Sequence, residues 1–291
     1  MAAPKLSDHS GDEWGEMAKI YHKLTVGVAE KPTVEILRHL DDRWPFSKAT
    51  AIHDNGCGPG PIISHIIQDY GDKLPAHCEL SCSDFSAPMI DRVKHVKREE
   101  TAANPNSLWS RVDAQVLDAM DLKGIPDNSK SHVTAGWVYF MTPDPQKCLS
   151  ESLRVLRKDG VLGCSSWKDS QWLQLMRMVG QVRPDKQLPG IPAEWQTAGP
   201  LKGELEKAGF REVESFEVEV IMTFESYDAT IDLLTTKMPH MIAMLKDFSE
   251  NEMQQLSDKM LRQMKEWCPE LPGKLYGTAL VAVGRKWYFQ S

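Results

Sequence analysis

Short apolar runs alternate with amphipathic stretches through the first half of this chain, and the alternation breaks down beyond Trp167. The runs Ala49–Asn55, Glu79–Ser83, Arg111–Val116, His132–Trp137 and Val161–Ser165 predict strands. Helical spacing fills the gaps, over Ala87–Glu99 and Pro145–Leu156 among others. Strand and helix in alternation predict a parallel sheet covered on both faces, with right-handed crossovers. Upstream, residues 1–11 are polar and expected to be disordered. Trp14, Met17, Ile20, Tyr21 and Leu24 then recur at helical spacing between Asp12 and Val28. Pro32 is placed to open the next helix, with Val34, Ile36, Leu37 and Leu40 on its apolar side. Downstream, Leu201–Ala208 reads as a helix stopped by Gly209. Phe216, Val218, Val220 and Met222 alternate with Glu217, Glu219 and Ile221, the pattern of a half-exposed strand. Residues 226–275 read as helical, with a capping box from Ser249 to Glu252 and Met253, Leu256, Met260, Leu261, Met264 and Trp267 on one face. Leu280-Val281-Ala282-Val283 predicts a closing strand.

A length of 291 residues suits one large domain, or a domain with a sizeable insertion. The net charge of −7 argues against nucleic acid as a partner, because phosphate binding needs a basic face. The six cysteines at 57, 78, 82, 148, 164 and 268 form no C-x-x-C pair. His77, Cys78 and Cys82 cluster without a fourth ligand nearby, so buried thiols are expected and no metal. No secretory leader and no membrane-length apolar run is read, which leads to the expectation of a cytoplasmic protein, monomer or homodimer, away from the membrane. The terminal Tyr288-Phe289-Gln290-Ser291 resembles the stub of a protease-site tag.

Candidate chemistry concentrates after the first three strands. Asp54-Asn55-Gly56-Cys57-Gly58-Pro59-Gly60 follows the first and leads into Pro61-Ile62-Ile63, the start of a buried helix. Strand, closely spaced glycines and helix let a backbone turn pass against a nucleotide-like cofactor. The spacing is G-x-G-x-G, with Pro61 where a nicotinamide-binding turn would carry its third glycine. Asp54 at the strand end can receive an ammonium group through a water, or hold loop amides. Ser83-Asp84-Phe85-Ser86-Ala87-Pro88-Met89 follows the second strand, and a carboxylate at Asp84 can accept both hydroxyls of a ribose. Ser86 and Pro88 also fit a helix start in any protein. Asp118-Ala119-Met120-Asp121, after the third strand, can address an adenine edge, although Asp113-Ala114 offers a competing register.

These three motifs come in order. Leu156-Arg157-Lys158-Asp159-Gly160 precedes the fifth strand, and Glu206-Lys207-Ala208-Gly209-Phe210 the sixth. Together with Ser165-Ser166-Trp167, the chain resembles a class I S-adenosylmethionine-dependent methyltransferase, most of all the fungal secondary-metabolite group that includes the gliotoxin bis-thiomethyltransferase. The resemblance implies a doubly wound, seven-stranded, mostly parallel α/β sheet of Rossmann-like type. It implies N-terminal lid helices over 1–45, a cofactor-binding core over 46–225 and 276–287, and a helical cap over 226–275. It further implies that Gly56, Gly58 and Gly60, with Asp54 and Asn55, line the methionine part of the cofactor. Asp84 would take the ribose, Phe85 and Met89 would flank the adenine, and Asp118, Ala119 and Met120 would meet its edge. Tyr21 and Thr25 would reach the cofactor carboxylate from a lid. Asp159 stands where the family often has Pro or Gly, which touches stability only.

Methyl transfer from a sulfonium is an in-line displacement that needs placement more than acid catalysis. The acceptor pocket is expected above the strand ends, lined by Trp137, Tyr139, Phe140, Trp167, Trp172, Met238 and Met241. For each of these aromatics and methionines, core packing is the competing reading. The excess of Trp and Met points to a large apolar substrate within the class of small-molecule secondary metabolites. No general base declares itself: His22 and His240 are candidates that surface or cap roles explain equally, His132 reads as structural, and Tyr139 is a weak candidate. A missing base favours a thiol or phenol acceptor over an aliphatic alcohol. Two rival readings keep the fold: use of the bound sulfonium to assist a cyclisation or rearrangement, and a non-catalytic regulatory subunit.

Overall fold

The computed structural model describes residues 18–188 and 190–287, the first ten of them by backbone alone. Residues 1–11, Trp14, Met17, the last four residues and the side chains of Tyr21, His22 and Thr25 lie outside the described residues. Seven strands, β1 (Ala51–Asn55), β2 (Glu79–Asp84), β3 (Val112–Val116), β4 (Lys130–Ala135), β5 (Leu156–Ser170), β6 (Phe210–Phe224) and β7 (Gly273–Lys286), form one sheet in the order β3-β2-β1-β4-β5-β7-β6. β1 runs parallel to β2 and β4, β2 to β3, and β4 to β5. β7 lies antiparallel between β5 and β6. The described helices are α1 (Ala18–Arg43), α2 (Pro61–Tyr70), α3 (Ala87–Ala103), α4 (Pro145–Val155), α5 (Gln171–Arg177), α6 (Val179–Val182), α7 (Ala198–Lys207), α8 (Tyr227–Thr236), α9 (Pro239–Leu245) and α10 (Glu250–Trp267).

Two apolar clusters show why both faces are closed. Ile36, Leu37 and Leu40 of α1, Ile62, Ile63 and Ile66 of α2, and Ile90 and Val93 of α3 belong to one. Ile231, Met241, Leu256, Met260 and Met264 of α8, α9 and α10 join the same cluster. Cys148, Leu149 and Val155 of α4 with Leu201 and Leu205 of α7 belong to the other. A central parallel strand is buried on both sides, and all five residues of β1 are. Its polar residues therefore need partners inside the protein. His53 is placed between Ser81 Oγ at 3.0 Å and Ser83 Oγ at 3.1 Å. Burial pushes its pKa down to about 3, so it is neutral.

The helical and strand segments expected from periodicity are present, with differences of extent; the stretch 226–275 is three helices that end at Trp267, and its last residues open β7 at Gly273. The two N-terminal helices are one: Pro32 lies inside α1, where it removes a single backbone bond and does not start a new helix. β5, β6 and β7 run well beyond their apolar cores. β7 pairs with β6 along its whole length and with β5 from Gly277 onward, so the ladder carries it through Lys274, Tyr276 and Thr278, where no apolar pattern marks a strand. The Asp159-Gly160 turn lies within β5, at the register shift against Lys130 and His132. The capping box is present, with Ser249 N donating to Glu252 Oε2 at 2.8 Å and Glu252 N to Ser249 Oγ at 3.3 Å.

Asp159 adopts φ +64°, the left-handed region. An L-residue there costs about 1 kcal/mol that glycine does not. Asp159→Gly is expected to raise unfolding stability by ~0.5–1 kcal/mol in urea titrations. An unchanged or lower midpoint would show that its carboxylate makes a compensating contact.

Candidate active site

The strand order reverses between β1 and β4: the chain leaves β1 for β2 on one side, and β4 and β5 lie on the other. Such a reversal opens a crevice at the carboxyl ends of the strands. The glycine turn lies there, folded over the tip of β2. Gly56 N and Cys57 N both donate to Ser83 O, at 2.7 and 2.8 Å, and Gly58 N donates to Asp84 Oδ2 at 2.8 Å. Gly56, Gly58 and Gly60 take φ of +75°, +53° and +92°. A Cβ on Gly56 would fall 2.4 Å from Val138 Cγ2, so this backbone touches the segment after β4 with no room for a side chain.

Three carboxylate or amide groups converge on the crevice. Asp54 is fully buried, and its Oδ1 accepts from Thr134 Oγ1 at 2.7 Å. Its Oδ2 is buried with no partner. Burial pushes the Asp54 pKa up to about 7, against the Thr134 hydrogen bond, and the charge of Asp84 adds to the rise. Asn55 directs Nδ2 toward Ala119 O and Tyr139 Oη, each 3.4 Å away, and its Oδ1 is buried without a partner. Asp84 Oδ1 accepts from Ser86 N at 2.9 Å. Burial raises its pKa, opposed by the Ser86 and Gly58 amides. Each Asp84 oxygen has a second lone pair and can accept further hydrogen bonds. Ser86 stands at the N-cap of α3 without a side-chain capping bond; the carboxylate of Asp84 takes the Ser86 amide instead.

Phe85, 49% exposed, follows Asp84, and Val116, 50% exposed, is paired with Asp84 across β3. They are the most exposed large apolar side chains among the described residues. Met89, expected beside Phe85, is instead buried on the first turn of α3. Asp118 is exposed and its Oδ1 accepts from Met120 N at 2.8 Å; Ala119 is buried and Met120 half-buried. Asp113-Ala114 lies in mid-strand opposite Ser81 and Cys82, so only the Asp118 register reaches the tip. Glu151 Oε2 accepts from Leu122 N at 3.0 Å and fixes the loop that carries Asp118.

Of the expected acceptor-side residues, three come together. The rings of Trp137 and Trp167 are 5.4 Å apart, and those of Trp167 and Trp172 are 5.3 Å apart, edge to face. Trp137 and Trp167 touch both apolar clusters, which places them at the end of the sheet. Tyr139 and Phe140 are not brought there. Both are buried in the cluster beneath α4 and α7, and Tyr139 Oη is 2.6 Å from Ser152 Oγ. Burial raises the phenol well above its ordinary value, and its hydroxyl is held between Ser152 Oγ and Asn55 Nδ2. Met241 is fully buried in the first cluster, Met238 half-buried beside it, and His240 buried. His132 is held between Ser131 Oγ and Trp44 O at 2.9 and 2.8 Å, and burial pushes its pKa down to about 4. Sequence reasoning missed Thr134, Val138, Val116 and Ser165, whose Oγ accepts from Trp137 N at 3.1 Å. Only the β1–β4 pairing, Asp54 opposite Thr134, identifies the first of them.

A seven-stranded sheet, parallel except for β7 inserted antiparallel between β5 and β6, with a glycine turn at its crevice, is the class I methyltransferase fold. Residues 53–164 match the methyltransferase domain family. The chain is 39% identical over 273 residues to methyltransferase ucsB of an Acremonium species, covering 94% of each. It is 26% identical over 167 residues to the acetylaranotin bis-thiomethyltransferase of Aspergillus terreus, covering 55% of this chain and 53% of that one. The solved YcgJ protein of Bacillus subtilis shares the fold, with a TM-score of 0.54 at 15% identity over 88% of this chain and 99% of that one. The chain belongs to the class I methyltransferase family, among the fungal methyltransferases that include ucsB.

Proposed function

We propose that this methyltransferase uses S-adenosylmethionine to methylate an oxygen or sulfur of a small apolar secondary metabolite, leaving S-adenosylhomocysteine. One observation carries the reading: at the tip of β1 the glycine turn follows two buried acceptor oxygens without partners, Asp54 Oδ2 and Asn55 Oδ1. Unpaired buried acceptors are costly, and a ligand with an ammonium group and hydroxyls brings the donors that the protein lacks. The residues present therefore fit S-adenosylmethionine. When bound, that cofactor supplies a methyl group activated by its sulfonium.

The chain's residues bind, orient and exclude water. Gly56, Gly58 and Gly60 let the backbone approach the methionine end. Asp54 faces the ammonium group and Asp84 accepts from the ribose hydroxyls on its free lone pairs. Phe85 and Val116 give the adenine an apolar surface, with Asp118 and Ala119 at its edge. The indoles of Trp137, Trp167 and Trp172 seat the acceptor and keep water out. His53 and His132 are locked neutral by burial and take no proton from the acceptor. A thiol or phenol, which ionises on its own near neutral pH more readily than an alcohol, suits such a site. The likeness to a bis-thiomethyltransferase supports sulfur as one acceptor atom.

Calorimetry with S-adenosylmethionine and S-adenosylhomocysteine, followed by labelled methyl transfer to thiols and phenols, tests this reading. Heat with both ligands and a labelled product are expected; no heat with either sinks it. Asp84→Ala should weaken S-adenosylhomocysteine binding by about 1–3 kcal/mol, roughly five- to 150-fold in Kd. An unchanged affinity would mean that the ribose lies elsewhere.

A further inference from the structure

Trp137 combines three features that core packing does not explain together. Its backbone is at φ +55°, a strained conformation for a bulky residue. Its amide is pinned in that conformation by Ser165 Oγ at 3.1 Å. Its Nε1–H is shut from solvent and donates to nothing. A buried indole ordinarily finds a partner for this donor. The ring lies 5.4 Å from Trp167, tilted by 31°, and Trp167 meets Trp172 at 85°. Trp137 stands two residues past the tip of β4, and the next residue, Val138, closes on Gly56. The unused donor is thus one residue away from the wall of the glycine turn.

We infer that Trp137 determines acceptor specificity: its Nε1–H donates to an oxygen of a planar aromatic acceptor packed on the Trp137–Trp167 surface. The Trp137 indole, packed at a tilt against Trp167, offers an apolar ring face that suits an aromatic ring. The single donor fixes which edge of that ring turns toward β1. The strained backbone keeps the indole at the crevice mouth, where an ordinary φ would carry it elsewhere. The inference rests on the methyl-transfer reading only for the identity of this ligand as the acceptor.

The test uses two probes of like shape, 2-acetylnaphthalene, which carries an accepting oxygen, and 2-ethylnaphthalene, which does not. Equilibrium dialysis is run on the whole protein with and without S-adenosylhomocysteine. The unaltered protein is expected to bind the ketone at least fivefold more tightly than the hydrocarbon, the scale of one hydrogen bond. Trp137→Phe should weaken both probes, the ketone the more, and bring the ratio to about one. Trp167→Phe should weaken both probes and keep the ratio. In the unaltered protein, one indole N–H resonance should move downfield with the ketone and stay with the hydrocarbon, which needs no variant to fold. A wild-type ratio near one, no binding of either probe, a ratio that survives Trp137→Phe, or an indole spectrum indifferent to the ketone each overturns the inference. Failure of the methyl-transfer reading shows separately, as absence of heat with the cofactor and its product.

Discussion

Gly56→Ala is expected to abolish measurable binding of S-adenosylhomocysteine and to lower the melting temperature by roughly 3–7 °C, equivalent to ~2–4 kcal/mol in a chain of this size. Two costs add. The left-handed backbone at +75° penalises an L side chain by about 1–2 kcal/mol. The new methyl group would also stand 2.4 and 2.6 Å from the two methyl groups of Val138. Valine has little rotamer freedom with which to give way, so the segment after β4 must shift, and Trp137 with it. Gly58→Ala is the internal control: its φ is +53° but a Cβ there meets nothing within 4 Å. It should show the backbone cost alone, and Val138→Ala should partly rescue Gly56→Ala. If Gly56→Ala melted within 1 °C of Gly58→Ala, the close approach to Val138 would be wrong.

Asp54→Asn is expected to remove a fall in stability that the parent shows between about pH 4 and pH 7. The Asp54 pKa is raised from an ordinary 3.8 to about 7. Below pH 4 the carboxyl is protonated in both the folded and unfolded chains, and its contribution is fully present. As pH rises through about 7, the unfolded chain has long since ionised while the folded one pays to do so, and stability is lost. A shift of about three units sets an upper limit of ~4 kcal/mol on that loss. Asparagine cannot ionise, and its Oδ1 can still accept from Thr134. Its Nδ2 would occupy the buried position without a partner, a cost of about 1–3 kcal/mol at every pH. The variant should therefore be less stable than the parent in urea at pH 5 and equal or more stable at pH 8. Parallel curves at the two values would show that Asp54 ionises freely. In the parent, cofactor binding should also release a proton near pH 7, because an ammonium group favours the carboxylate; calorimetry in buffers of different ionisation enthalpy reads this, and Asp54→Asn should remove it.

The glycine turn and Asp84 were legible in the sequence because each is a local signal, residues of special conformation or charge at the end of an apolar run. The register of the Asp118 loop was readable only from pairing, which puts Asp113 opposite Ser81 and leaves Asp118 beyond the tip. Tyr139 and Phe140 illustrate a different limit. They follow β4 as closely as Trp137 does, but a single helical turn over Tyr139–Met141 rotates them beneath α4. Nothing in their residue type distinguishes a ring above the sheet from one below it. Thr134 was invisible for a third reason: its role exists only opposite Asp54, eighty positions away. Pro32 misled because a proline that opens a helix and one tolerated inside a longer helix look alike without the preceding turn.

The contact between β1 and β4 is a seam between two lengths of chain, residues 51–116 on one side and 130–286 on the other. Asp54, Asn55 and the glycine turn belong to the first length, while Thr134, Trp137 and Val138 belong to the second. A molecule lodged across that seam acts as a non-covalent rivet. It is held only while both halves of the sheet are docked, and its loss would accompany their parting.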